Sequence, residues 1–247
     1  MFGIKRVRGF LKSCGSRGDP CGRPKCVCGS PWVLRLDIKG FFMAINRQIL
    51  FDLIIDGLCR GDPCGRPICA LHEFLIRKIV FNDPIKNAVF RSPWGAWEDL
   101  PRDKSLMGSP PNCGLPIGNL TSQVFANVYL NPLDHFVKRE LKIRCYGRYV
   151  DDMVRIHSDR QILLNAIFSI REFLSKKLNL TLHPKKIKLQ PAKKGFAFLG
   201  AYIYPNKVIA GERTLANFRS AVLNTEPDSE KQTRSVQSYL GLMGHFG

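Results

Sequence analysis

No apolar run in these 247 residues approaches the ~20 needed to cross a bilayer, and the N-terminal MFGIKRVR carries charge where a secretory signal would carry an apolar stretch. The expected location is the cytoplasm, with no membrane partner. Acid is scarce too: 20 Asp and Glu against 38 Lys and Arg leave a net charge of +18. That balance points to a polyanion held through its phosphates, although a ribosomal protein or a membrane-surface binder would share it. Histidine numbers only five, and none of the nine cysteines belongs to a C-x2-C pair. Without a secretory signal they do not read as a disulfide framework. The length excludes two full domains, while 45% hydrophobic content supports one substantial core with a small appended piece.

Seven of the nine cysteines cluster around a repeat. Arg17 to Pro24 and Arg60 to Pro67 both read RGDPCGRP, each followed after one residue by another cysteine, Cys26 and Cys69. Structural repeats diverge because each copy packs differently, whereas these are identical, short and rich in Gly and Pro. We read them as unstructured insertions of translated repetitive nucleotide sequence, the second placed between helices, where insertion is best tolerated. The rival is a zinc site drawn from Cys14, Cys21, Cys26, Cys28, Cys59, Cys64 and Cys69. Its C-x4-C and C-x-C gaps and the lack of histidine in either tract count against it. An adhesive role for the RGD would require secretion.

The remaining chain alternates regularly. Pro31 to Ile38, PWVLRLDI, reads as a buried strand that delivers Asp37 to its end. Asn46 is placed as the cap of a helix that begins at Arg47 and stops at Gly57. A second helical pattern opens at Thr121 and meets Pro132, where a kink or restart is expected. Residues 144–150 and 153–157 are extended runs flanking Asp151 and Asp152, a hairpin with its acids at the turn. After Asp159 as cap, Leu163, Ile167, Ile170, Leu174 and Leu178 share one helical face, with Arg171, Lys176 and Lys177 toward water. Strands near 187–190, 196–204 and 207–210 follow, then a basic helical tail from about Thr214. The expected fold is α+β, an antiparallel sheet covered by helices with acids gathered at one sheet edge.

Adjacent acids in Tyr149-Val150-Asp151-Asp152 repel each other unless cations sit between them. A polar hairpin turn is the plainer alternative, since Asp is common there. Asp37, at a strand end and followed by the apolar Ile38 and Phe41-Phe42, supplies a third acid that can converge with the pair. Three such carboxylates suit two divalent ions about 4 Å apart, which activate a 3′ hydroxyl and stabilise a leaving pyrophosphate.

With these residues in hand, the sequence resembles reverse transcriptases. Asp37 to Phe42 is similar to their first catalytic motif, and Tyr149 to Asp152 to their paired-aspartate motif. Between them GLPIGNLTSQVFANVYLN, from Gly114, resembles the nucleotide- and template-contacting loop and helix. Leu180 to Pro191, with HPKK at His183, and FAFLG at Phe196 resemble the next two motifs, the latter being the primer grip. A weaker match, SVQSYLG, begins at Ser235. Most of the family carry Gln-Gly and then Ser-Pro in the loop, where this chain has Ile117-Gly118 and then Ser122-Gln123. That variant resembles the reverse transcriptases of diversity-generating retroelements, which copy a template RNA with frequent errors at adenines.

The resemblance implies an RNA-directed DNA polymerase that uses two Mg2+ ions, template RNA, a cDNA primer and dNTPs, with a small basic accessory protein, encoded by a bacterium or phage. It assigns Asp37, Asp151 and Asp152 to the metals and Lys186 to the general acid for pyrophosphate, where a solvated surface lysine is the plainer alternative. Ile38, Phe42, Ile117, Gly118 and Gln123 would line the nucleotide, Phe42 as the gate against a 2′ hydroxyl; Phe198, Leu199 and Gly200 would hold the primer. An ordinary core aromatic and a simple turn glycine remain alternatives for Phe42 and Gly118. Only 36 residues precede Asp37, so fingers and thumb are expected to be truncated. The expected division is an N-terminal remnant over 1–30, a palm over 31–205 and the start of a thumb over 206–247. An inactive remnant that binds RNA and a group II intron-type maturase are the competing functions.

Overall fold

A computed structural model describes residues 2–15, 31–61, 69–86, 89, 95, 100–223 and 230–244. Its centre is β1 (Trp32–Leu36), which pairs antiparallel with β3 (Asp152–His157) on one side and β4 (Lys188–Pro191) on the other; β2 (Tyr146–Tyr149) completes the order β2-β3-β1-β4. Val33, Leu34 and Leu36 are all fully buried, because β1 is covered on both faces. That double burial accounts for its almost unbroken apolar sequence.

Alternation divides β1 between two cores. Leu34 and Leu36 join a principal core with α5 (Leu120–His135) and α6 (Arg160–Leu178), whereas Val33 joins Val154, Ile156, Phe196 and Phe198 on the other face. Arg35 and Asp37 share the Val33 side by the same period. The second core is closed by α1 (Phe2–Gly15), which inserts Ile4, Val7 and Leu11. This helix has no counterpart in the sequence-based expectation. Its spacing of i, i+3, i+7 is nonetheless a helical face, masked by a strongly basic composition.

The helix from Arg47 is α3 (Arg47–Gly61), and Asn46 Oδ1 accepts from the backbone of Gln48 and Ile49 at 2.9 and 3.1 Å, as a cap should. It does not stop at Gly57. It continues to Gly61 before α4 (Ala70–Val80), because isolated Gly weakens a helix without ending one. Nothing lies within 4 Å of a Cβ placed on Gly57. Gly57→Ala should therefore stabilise the chain by ~0.4–1 kcal/mol, read as a shift in denaturation midpoint.

Pro132 lies inside α5 without ending it; the helix instead widens to a π-helical turn over Phe136–Glu140. Tyr129 ties α5 to its neighbours, donating to Leu178 O at 2.6 Å and accepting from Asn46 N at 3.3 Å. The amphipathic helix is as expected, with Asp159 accepting from Gln161 N at 2.7 Å and Leu163, Ile167, Ile170, Leu174 and Leu178 buried.

The run 196–204 is two strands rather than one. β5 (Phe196–Phe198) and β6 (Ala201–Ile203) meet at a two-residue turn, Leu199 and Gly200, with φ +50 and +77, and β7 (Val208–Ala210) completes a second antiparallel sheet. The tail forms α7 (Glu212–Leu223) and α8 (Glu230–Met243), joined by an edge-to-face contact of Phe218 and Tyr239. The first RGDPCGRP tract, and residues 62–68 of the second, lie outside the described residues, as do Cys21, Cys26, Cys28 and Cys64. Cys59 and Cys69 are free and exposed.

Candidate active site

Strand register gathers the three acids. Leu36 pairs with Met153, so the next step of that antiparallel ladder sets Asp37 level with Asp152. Tyr149 pairs with Asp152, leaving Val150 and Asp151 as the whole turn between β2 and β3. Val150 holds φ +54. A β-branched residue in that region stores strain of ~1–3 kcal/mol and persists only where its surroundings impose it.

Each end of the acid cluster meets a cation. Lys186 Nζ lies 2.9 Å from Asp37 Oδ2, and Arg35 Nη2 lies 3.3 Å from Asp152 Oδ2. Burial pushes the Asp151 carboxyl above the ordinary carboxylate range; Asp37 adds to the rise, and Lys186 and Arg148 oppose it. Burial likewise raises Asp152, with Asp37 and Asp151 reinforcing and Arg35 opposing. The hydrogen bond to Asp37 raises Lys186, which keeps its ammonium protonated. These mutual effects are those of a carboxylate cluster short of positive charge. Among the described residues no group of three His, Cys, Asp or Glu side chains closes round a single point. Asp37 and Asp152 are engaged by cations instead.

Asp151 and Asp152 line a cleft of about 670 Å³ together with Arg35, Phe42, Tyr149, the turn from Phe198 to Ala201, and Glu212 and Arg213 at the start of α7. The turn is gripped from both sides. Leu199 Cδ1 would stand 2.9 Å from a Cβ on Gly3 of α1, while Gly200 O accepts from Thr214 Oγ1 at 2.7 Å and Gly211 N at 2.8 Å.

A family model described as reverse transcriptase (RNA-dependent DNA polymerase) matches residues 25–203. The chain belongs to the reverse transcriptase family. Solved structures of telomerase share the fold. That from Candida albicans, in complex with a TWJ fragment of telomeric RNA, aligns with a TM-score of 0.53 at 12% identity, covering 96% of this chain and 42% of that one. Telomerase from Candida tropicalis in a similar complex gives 0.51 at 15%, covering 97% and 40%. The chain thus spans about two fifths of the length of these neighbours. No curated protein sequence matches.

Within this reverse transcriptase fold the expected site residues are not all alike. Phe42, on the short helix α2 (Phe41–Ala44), faces the cleft, whereas the Ile38 side chain is 1% exposed and belongs to the principal core. The loop before α5 is stapled beside Phe42, since Leu115 N donates to Phe42 O at 2.8 Å and Gly114 N to Ile45 O at 2.9 Å. Ile117 is 68% exposed, Gly118 has φ +105 with open space around it, and Gln123 is exposed; none of the three is among the cleft lining. Phe198 is buried, and Leu199 and Gly200 form the turn described above.

Arg35 and Arg148 lie outside the residues that the sequence motifs assign to the site. Period-2 reading could have found Arg35, a charge two residues before Asp37 on the same face of an otherwise apolar strand. Among the described residues no helix is long and apolar enough to cross a membrane.

Proposed function

We propose that the chain is the palm and thumb base of an RNA-directed DNA polymerase of the diversity-generating retroelement type, with the palm over 31–205 and the thumb starting at 206. The observation that carries it is the strand register that sets Asp37 level with Asp152, which with the turn residue Asp151 lines one cleft. Three hard oxygen donors, two of them (Asp151 and Asp152) raised by burial and by the negative charge beside them, fit Mg2+ or Mn2+ better than a thiophilic metal. Two Mg2+ ions bound by Asp37, Asp151 and Asp152 would supply Lewis acidity at the primer hydroxyl and the leaving pyrophosphate.

The chain's own residues do the rest. Phe42 stacks beneath the sugar and excludes a 2′ hydroxyl, while the loop carrying Ile117 and Gly118 and the start of α5 with Gln123 approach the nucleotide. Phe198, Leu199 and Gly200 position the primer end. Lys186, kept protonated beside Asp37, hands its Nζ proton to the departing pyrophosphate. Template RNA and cDNA lie along the basic surface, aided by a small basic accessory protein. Ile117, where typical members place glutamine, supports the error-prone type: losing one hydrogen bond of ~1 kcal/mol weakens discrimination roughly fivefold.

Primer extension tests this reading, using matched RNA and DNA templates with Mg2+ and each dNTP in turn. Extension on RNA, with misincorporation concentrated opposite adenine, is the expected result. Extension confined to DNA, or errors spread evenly over the four bases, would contradict it. A chain that binds primed RNA without extending it would be the inactive remnant.

A further inference from the structure

Behind the acid pair lies a chain of polar contacts, one end of which holds a single peptide group. The side chain of Arg148, on β2, is only 8% exposed, and each of its three guanidinium nitrogens has a partner. Nε donates to Asp134 Oδ1 at 2.9 Å and Nη2 to Asp134 Oδ2 at 2.7 Å, a two-pronged pairing with α5. Nη1 then reaches Val150 O at 2.9 Å and Asn127 Oδ1 at 3.1 Å. Asp134 is itself fixed by the hydroxyl of Tyr146, which donates to Oδ1 at 2.6 Å, and the buried Arg155 sits 5.2 Å from the Tyr146 ring.

The target of this assembly is the strained residue of the turn. Val150 O belongs to the peptide that joins Val150 to Asp151, so its direction sets the plane from which Asp151 and then Asp152 depart. A valine at φ +54 would relax toward extended backbone if that carbonyl were released. Only a planar fork can hold a carboxylate with two nitrogens and present a third to a carbonyl; an ammonium offers one point charge.

We propose that Arg148, locked by Asp134, is a positioning residue that holds the Val150 turn in its left-handed conformation and so presets Asp151 and Asp152 for a divalent ion. The inference deepens the proposed polymerase function and rests on its assignment of these acids as metal ligands. It assigns no chemistry to Arg148, which acts only through the turn.

The test is rescue. Arg148→Lys keeps the charge and removes the fork, and should weaken Mn2+ binding, followed by electron paramagnetic resonance, by ~10–100-fold. Its turn amides should exchange faster with solvent. Adding Val150→Gly, which adopts positive φ without strain, should return Mn2+ affinity to within about threefold of the parent and slow exchange again. A merely structural Arg148 would not be rescued by a change at Val150. Mn2+ affinity and exchange unaltered in Arg148→Lys, or a double variant no better than the single one, would overturn the proposal. Should Arg148→Lys fail to fold, Asp134→Asn loosens the same fork and is scored the same way. Asp151→Asn in the parent chain separates the two ideas: Mn2+ binding that survives it defeats the ligand assignment, while amide exchange at Val150 to Asp152 still decides the role of Arg148.

Discussion

Replacing Asp151 with Asn should lower nucleotide addition by on the order of 10^3-fold or more while making the metal-free chain more stable. The two effects share one cause. Asp151 is half-buried beside Asp37 and Asp152, and its carboxyl holds its proton more tightly in the folded chain than in the unfolded one. A carboxyl raised in this way contributes most below the ordinary carboxylate pKa of about 4, and that contribution is lost as pH rises through the folded value. At pH 7 the ionised group is therefore a net cost, which Asn removes at nearly constant shape. The gain in Tm should be present at pH 7 and shrink toward pH 3, where the parent carboxyl is itself neutral. Mg2+ should raise the Tm of the parent and not of the variant. A variant destabilised at pH 7 would mean that Asp151 supports the fold rather than the chemistry.

Raising salt from 50 to 200 mM should weaken binding of primed RNA by on the order of 10^3-fold, given six phosphate contacts and a slope near −0.9 for each. The net charge of +18 supplies the drive, and the geometry gives it a place. Lys185, Lys188, Lys193 and Lys194 are exposed on and around β4, the strand paired with β1 next to Asp37. Reversing Lys185, Lys188 and Lys193 to Glu should flatten the slope by about 2–3 as three contacts are lost. A parent affinity indifferent to salt would place binding in hydrogen bonds or stacking instead.

The site was legible where local periodicity and chemistry coincide. The strand ending at Asp37, the hairpin carrying Asp151 and Asp152, and the face of α6 each follow from one period read over one segment. What escaped reading was tertiary or conformational. FAFLGAYIY is uniformly apolar around Gly200, so nothing in it announces that Leu199 takes φ +50 and turns the chain back on itself. The Asp134–Arg148 pair joins a helix to a strand, and no periodicity links them. Lys186 needed a family resemblance to be noticed, yet its place beside Asp37 follows from β4 pairing with β1. In α1 the basic residues hid an apolar face of three side chains that seals the second core.

Whether Asp37, Asp151 and Asp152 act together on divalent metal is decided by counting the Mn2+ ions bound to the chain with primed RNA and a nonhydrolysable dNTP analogue. Two ions in the parent, and loss of binding in both Asp37→Asn and Asp151→Asn, are predicted. Undiminished binding in Asp37→Asn would contradict it, because the strand that carries Asp37 would then deliver a carboxylate with no metal to hold.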